Sequence, residues 1–305
     1  MSKTAPFLLV CLFSCWCTAA HSQYYFYDSR YYDALLTVEL GVSAGAMNCL
    51  TDLGGRHEKG RNFFSDVNRS ATHPCGGLFA GVNYNNKIGI RAELAYGQVS
   101  ASDSILKRYT PARNGRYMRN LSFRSDIREV SLVTELYPVS FFPGINLPLL
   151  PYLAAGIGCF SFHPQAFWNG SWASLPPLHT EGEGWKEYPD RPLYKLSQMN
   201  IPAGGGIRYE PHPLISVRCE FIYRWLFTDY LDDVSTTYIS PSLFDTHLRP
   251  PVASLASKLA DRQRREAGYP SAGHDGERRG NSRNKDAFFS LSIQCSFVLG
   301  RSKIR

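Results

Sequence analysis

Eight separate stretches of this chain alternate apolar and polar residues with a period of two, the pattern of a strand whose two faces meet different surroundings. In the first stretch Leu36, Val38, Leu40, Val42, Ala44 and Ala46 fall on one face, and Thr37, Glu39, Gly41, Ser43 and Gly45 on the other. The seventh sets Val217, Cys219, Phe221, Tyr223, Trp225 and Phe227 against Ser216, Arg218, Glu220, Ile222 and Arg224. The eighth sets Ala287, Phe289, Leu291, Ile293, Cys295 and Phe297 against Ser290, Ser292, Gln294 and Ser296. Between them lie weaker versions at 74–84, 88–97, 129–136, 152–159 and 199–209. The last of these carries Gly204, Gly205 and Gly206 in its middle, which reads as a bend or a close approach of strands.

The connections alternate in length. Those at 83–87, 138–150 and 210–214 are short or moderate, whereas 48–73, 98–123, 163–198 and 228–286 are long. Short turns at one end, long loops at the other and an even strand count define the expected fold. It is all-β, an eight-stranded antiparallel transmembrane β-barrel with long extracellular loops and short periplasmic turns. Eight strands leave an interior that side chains fill, so Arg91, Glu93, Glu135, Arg218, Glu220 and Arg224 are expected to form lumen ion pairs rather than a conduction path. Aromatics near segment ends (Tyr96, Tyr137, Phe162, Tyr209, Trp225, Phe227) suit the girdles at the two bilayer interfaces. A soluble lipocalin-like barrel has the same periodicity with its faces inverted, and the sequence leaves that alternative open.

The N-terminus reads as a cleaved signal peptide over 1–22, with an apolar run from Phe7 to Trp16 followed by small residues. The mature barrel then spans 23–305, its strands within 33–298 and one long outer loop at 228–285. No later stretch is long and apolar enough for a transmembrane helix, so any membrane crossing is by strands. The expected location is the outer membrane. Five cysteines remain after the signal (Cys49, Cys75, Cys159, Cys219, Cys295), an odd number that argues against a complete disulfide framework, although Cys49 and Cys75 flank one loop. The net charge of +7 is scattered except between Lys258 and Lys285, which points to anionic lipid or an acidic protein face and away from nucleic acid.

Motifs for phosphate loops, zinc, nucleophile elbows or dinucleotides are absent, so no enzyme, cofactor, metal or small-molecule substrate is expected. Two loop clusters mix carboxylates with aromatics: 182–191, containing Tyr188, Pro189, Asp190 and Arg191, and 227–238, containing Thr228, Asp229, Tyr230, Asp232 and Asp233. Asp229, Asp232 and Asp233 carry hard oxygens of the calcium-binding type, but local turn hydrogen bonding is the favoured reading. Ser161, His163 and Asp190 are residue types a lipid hydrolase uses, without a spacing that singles them out. The stretch 258–283 is rich in Arg, Gly, Ser and Asn and is expected to be flexible, after a short helix within 252–267.

Tyr188-Pro189-Asp190-Arg191 after Gly182-Glu183-Gly184, the run Thr228-Asp229-Tyr230-Leu231-Asp232-Asp233-Val234-Ser235-Thr236-Thr237-Tyr238, Asn284-Lys285-Asp286-Ala287-Phe288-Phe289, the stretch 45–54 and Pro151-Tyr152-Leu153-Ala154-Ala155-Gly156-Ile157-Gly158 together resemble the PorG-like outer-membrane barrel family of Bacteroidetes. That resemblance implies a non-enzymatic accessory or anchor of type IX protein secretion. Its implied partners are outer-membrane lipid and a periplasmic ring lipoprotein with its companion protein, which the barrel ties to the outer membrane, with turns 138–150 and 210–214 as docking points. The basic insert before the last strand and the several cysteines depart from the family pattern. The competing expectation is an adhesin-like barrel acting through its long outer loops.

Overall fold

The computed structural model describes residues 35–54, 69–104, 116–142, 149–263 and 275–301. The signal-peptide reading of 1–22 lies outside them. Ten strands form one antiparallel sheet: β1 (Leu36–Leu50), β2 (His73–Tyr84), β3 (Ile88–Ser102), β4 (Ser122–Leu136), β5 (Leu149–Ser161), β6 (Pro164–Trp168), β7 (Ser171–Ser174), β8 (Ser197–His212), β9 (Ile215–Leu226) and β10 (Ala287–Leu299). Eight of them close into a ring in the order β3-β2-β1-β10-β9-β8-β5-β4, with β4 pairing back onto β3 over Ile88↔Leu136 to Ser102↔Ser122. The expected eight-stranded barrel is therefore what forms. Closure removes every sheet edge from the ring, the condition a sheet must meet to cross a bilayer.

Which face points out is decided strand by strand. Leu36, Val38, Leu40 and Val42 on β1, Ile88, Ile90 and Leu94 on β3, and Leu291, Ile293 and Phe297 on β10 are exposed, whereas Thr37, Glu39, Arg91, Gln294 and Ser296 are buried. A continuous outer band of this size is far beyond the apolar patch a water-soluble monomer tolerates. The lipocalin-like inversion is thereby discarded: the apolar rows face outward and the charged rows fill the barrel. The ring strands run 12 to 16 residues, long enough for a tilted crossing plus an extension beyond it.

At the turn end Asn85 and Asn86 both adopt positive φ between β2 and β3, with Lys87 N–H donating to Tyr84 O at 3.0 Å; this is the two-residue turn whose twist matches that of the flanking strands. The three glycines of β8 permit close approach, because a Cβ on Gly206 would sit 2.8 Å from the Tyr152 hydroxyl, which occupies the lumen at that level.

Two of the six expected girdle aromatics turn inward instead. Tyr137 and Phe162 are buried, Tyr137 under the lumen floor and Phe162 at the loop end, while Tyr96, Tyr209, Trp225 and Phe227 are exposed. Parity explains the difference: outward residues are even-numbered on β4 and odd-numbered on β5, so 137 and 162 continue the inward rows.

The long loops do not behave as separate polar tethers. They carry the short helix α1 (Arg116–Arg119), then α2 (Pro241–His247) and α3 (Pro250–Ala260), both opened by proline, which suits the first helical turn. Leu53, Leu121, Leu175, Leu178, Trp185, Leu231, Val234, Ile239, Phe244, Ala256 and Leu259 converge on Met47, Val99, Phe123, Phe160 and Phe288 at the barrel mouth. The loops therefore share a hydrophobic core with the barrel and form a cap over it. Of the stretch 258–283 expected to be flexible, 264–274 lie outside the described residues; in the rest Leu259 and Ala260 are buried on α3 and Arg279 is buried further on, whereas Arg278 and Arg283 are exposed. The helix ends at Ala260, short of 267.

Candidate functional site: a filled lumen beneath a folded cap

Inward rows from seven strands meet in a tiered network. At mid-height Arg91 donates to Glu135 at 2.7 Å, to Gln294 at 2.9 Å and to both oxygens of Glu220 at 2.7 and 2.8 Å, with Glu93 at 3.5 Å. Tyr152 and Tyr137 donate their hydroxyls to Glu220 and Glu135 at 2.8 and 2.6 Å. Toward the turns Arg218 bonds Glu39, Arg208 bonds Glu39 at 2.8 Å and also Glu210, and Arg301 reaches Glu210 at 2.9 Å. Toward the cap Arg224 donates to Glu129 and Ser290, both at 2.8 Å, and Asn200 to Glu129 at 2.7 Å.

Among the described residues five arginines thus face six glutamates (39, 93, 129, 135, 210 and 220), and the charge nearly cancels. Burying so many ions is tolerable only because each is paired and hydrogen-bonded. Val133, Tyr137, Leu150, Tyr152, Ala154 and Ile222 form an apolar cluster beside the pairs. A cavity of about 10 Å³ remains among Glu39, Asn83, Arg91, Glu135 and Arg218, room for about one water. Among the described residues neither Asn83 amide atom has a partner, a need such a water would satisfy. Paired side chains thus fill the barrel interior among the described residues.

The six lumen residues singled out in the sequence, Arg91, Glu93, Glu135, Arg218, Glu220 and Arg224, all lie in this network. Glu39, Glu129, Arg208, Glu210 and Gln294 were not singled out, though each sits on an inward row where parity alone marks it.

The two loop clusters meet in the cap. Arg191 donates to Glu181 O and Thr237 Oγ1, both at 2.7 Å, with its guanidinium 4.3 Å from the Tyr188 ring centre. Asp233 accepts from Tyr194 at 2.5 Å and Thr180 at 2.6 Å, and Tyr230 stacks on Tyr194 at 4.7 Å. Arg279 is the keystone that sequence reasoning missed: it joins Glu181 at 2.9 Å, Asp233 O at 2.6 Å and Ala260 O at 3.1 Å. Arg119 ties in Asp103 at 2.8 Å and Asp52 O at 2.7 Å. Pro189 and Asp190 are exposed in a turn, and Thr228 caps the Tyr230 amide at 3.2 Å.

The remaining aspartates serve backbone and hydroxyl donors. Asp232 accepts from Leu53 N at 3.2 Å and Val234 N at 3.0 Å, Asp229 from Ser235 at 2.7 Å, Asp286 from Leu231 N at 2.9 Å, and Asp52 from Asn281 N. Burial pushes the Asp229 carboxyl up to about 8, opposed by the Ser235 hydroxyl and reinforced by Asp52. Burial and then the neighbouring carboxylates raise Asp232 and Asp286 well above the usual range. Among the described residues no three His, Cys, Asp or Glu side chains are arranged to hold a metal, and Asp229, Asp232 and Asp233 point to different donors. Nor does a hydrogen bond among the described residues join Ser161, His163 and Asp190; His163 is exposed and its backbone N–H donates to Ser125 at 2.8 Å.

All five cysteines of 35–301 are free. Cys159, Cys219 and Cys295 sit on the outer face, while Cys49 is buried with its thiol 3.6 Å from Ser100 O.

One feature of the cap had a plain signature in the sequence. Asn169 and Gly170, both at positive φ, form the turn between β6 and β7, an Asn-Gly hairpin flanked by Phe167-Trp168 and Ser171-Trp172. It hangs on β4 through Arg124↔Gln165 and Ser125↔Pro164.

No protein-family profile matches this chain, and no curated protein does. Among solved structures it is similar to Ail, the attachment invasion locus protein of Yersinia pestis, crystallised with the heparin analogue sucrose octasulfate, at 10% identity over 87% of this chain and 97% of that one with a TM-score of 0.33. Neisserial surface protein A aligns at 9% identity over 87% and 97% with a TM-score of 0.35. A major outer membrane protein from Thermus thermophilus aligns at 12% over 86% and 99% with a TM-score of 0.36. Superpositions this loose leave function open, and the fold stands on the strand pairing itself.

Proposed function

We propose that this protein is a non-enzymatic, non-conducting outer-membrane barrel that serves as a membrane-embedded scaffold. The observation that carries this reading is the lumen, filled by paired charges and covered by a cap with its own core, with no reactive constellation among the described residues. A barrel so arranged works through what it presents at its two ends. Export by the N-terminal segment is part of the proposal, with the turns in the periplasm and the cap outside.

The motif resemblance supports a role as an accessory of type IX secretion, tying a periplasmic ring to the outer membrane through the turn end. Exposed Phe141, beside Lys87, and exposed Phe142 are available there. Affinity purification of the tagged full chain should bring down a ring lipoprotein, and deletion should impair secretion; normal secretion from a deletion strain contradicts this role. The folded cap favours a second reading, a surface-binding barrel of the adhesin type. Grafting the wild-type cap loops back onto a loop-trimmed barrel should then restore a surface interaction while secretion stays unchanged throughout.

A further inference from the structure

The outer apolar band is not of equal height around the barrel. On β1, β5, β8, β9 and β10 the outward row stays apolar or small along its length, as from Val217 to Phe227. On β4 it stops at Val130, and the next outward residues are Arg128, Asp126 and Arg124; on β3 it stops at Tyr96 and continues as Gln98 and Ser100. These residues are register partners: Tyr96↔Arg128, Gln98↔Asp126 and Ser100↔Arg124. The result is a polar notch cut into the loop-side rim of the lipid-facing surface.

An aromatic hairpin overhangs the notch. Phe167 and Trp172 pair across β6–β7 with ring centres 5.3 Å apart and are 45% and 40% exposed, while Ala166 on the opposite face is buried in the cap core. The Arg124 guanidinium lies 3.7 Å from the Trp172 ring centre and donates through Nε to Gln165 at 3.1 Å. Its terminal nitrogens, and the whole exposed guanidinium of Arg128, donate no hydrogen bond among the described residues. Asp126, which accepts from Gln98 at 2.8 Å, is one carboxylate against two guanidiniums, so the notch presents net positive charge.

Height fixes what can reach it. With a rise of ~3.3 Å per residue and a tilt of ~40°, Arg124 stands roughly 30 Å above Leu136, just past an apolar band of about 25 Å. That is headgroup level for Arg124; the Arg128 backbone stands roughly 20 Å up, within the band, and its long side chain reaches that level by extending upward, with acyl chains packed against Val130 and Leu94 below.

We propose that Tyr96, Arg124, Arg128 and Trp172 bind the phosphate of an anionic lipid headgroup in the loop-side leaflet. Guanidinium groups held by an aromatic ring suit a phosphate's fork of oxygens, and Phe167 and Trp172 shield the site from water. This rests on the reading of the outer rows as lipid-facing.

The test is native mass spectrometry of the detergent-purified full chain with short-chain phosphatidic acid and short-chain phosphatidylcholine. Wild type should retain phosphatidic acid about tenfold better, from roughly one net screened charge and its hydrogen bonds. R124Q/R128Q should lose that preference and W172A should weaken it, whereas K87Q at the far end keeps it. Equal retention of the two lipids by wild type overturns the proposal. So does full displacement by an equal concentration of inorganic phosphate, which would mark a site for free anions. Each sample is also run heated and unheated on a gel: a wild type without a folded-barrel mobility shift refutes the barrel reading itself, and a shifted R124Q/R128Q that keeps the preference refutes the notch alone.

Discussion

Replacing Arg91 by methionine removes the cation that touches Glu135, Glu220 and Gln294 together. The methionine fills much of the stem's volume, so the change isolates the lost charge. Glu220 keeps Tyr152 and Gln294 as donors, and Glu135 keeps Tyr137 and the more distant Arg218 at 3.6 Å, but a buried carboxylate loses its counter-ion. Breaking a buried pair on one side costs about 3–5 kcal/mol, mostly the penalty of the orphaned ion. With a urea dependence of about 1–3 kcal/mol per molar, the unfolding midpoint should fall by roughly 1 M or more. The midpoint is read from the folded-band fraction on unheated gels of the protein in vesicles. Removing the orphan as well, in R91M/E220Q, should recover part of the loss, because a neutral amide is far cheaper to bury than an unpaired carboxylate. A shift below about 0.5 kcal/mol for R91M would contradict a dry, paired lumen, since it would mean that water already solvates these groups.

Gly206→Ala places a Cβ against the Cys219 carbonyl and the Tyr152 hydroxyl, so the same assay should show a loss of about 1–3 kcal/mol, with G206A/Y152F recovering little because the backbone clash remains. The cap should loosen as pH rises: Asp229 and Glu183 are raised to about 8 and Asp233 to about 6, so their contribution is fully present below the ordinary carboxylate pKa near 4 and is lost toward pH 8. Limited proteolysis of the loops should accordingly speed up between pH 5 and 9 by more than the protease's own pH profile, and Asp229→Asn should flatten that rise. In planar bilayers wild type should give no discrete conductance steps, and steady single-channel currents would contradict a filled lumen.

The barrel was legible because a half-lipid-facing strand must alternate, and because all-antiparallel closure needs an even count, which the long and short connections in turn match. Orientation was not legible, since a period of two has the same form with either face inside; only the observed exposure of Leu40 against burial of Glu39 decides it. Lumen pairing was legible as a set of charges sharing one row of each strand but not as partners. Arg218 bonds Glu39 from a strand far away in sequence, a contact set by barrel stagger rather than by spacing. The cap was the least legible part. Its apolar residues are scattered over four loops, and Arg279 is buried within a stretch whose glycines and charges otherwise describe solvent-exposed chain. The Asn169-Gly170 hairpin, by contrast, had a direct local signal, an Asn-Gly pair between Phe167-Trp168 and Ser171-Trp172.

Apolar rows face lipid while charged rows fill the barrel, and the protein carries its own reporters for this arrangement. Cys159, Cys219 and Cys295 lie on the outer face of β5, β9 and β10, among Ile157, Phe221 and Ile293. Folded protein in vesicles should leave these three thiols unreactive to a charged, membrane-impermeant maleimide and labelled by a lipid-soluble one, with Cys49 silent to both. Rapid labelling of all three by the charged reagent in the folded protein would place that surface in water and contradict the membrane barrel.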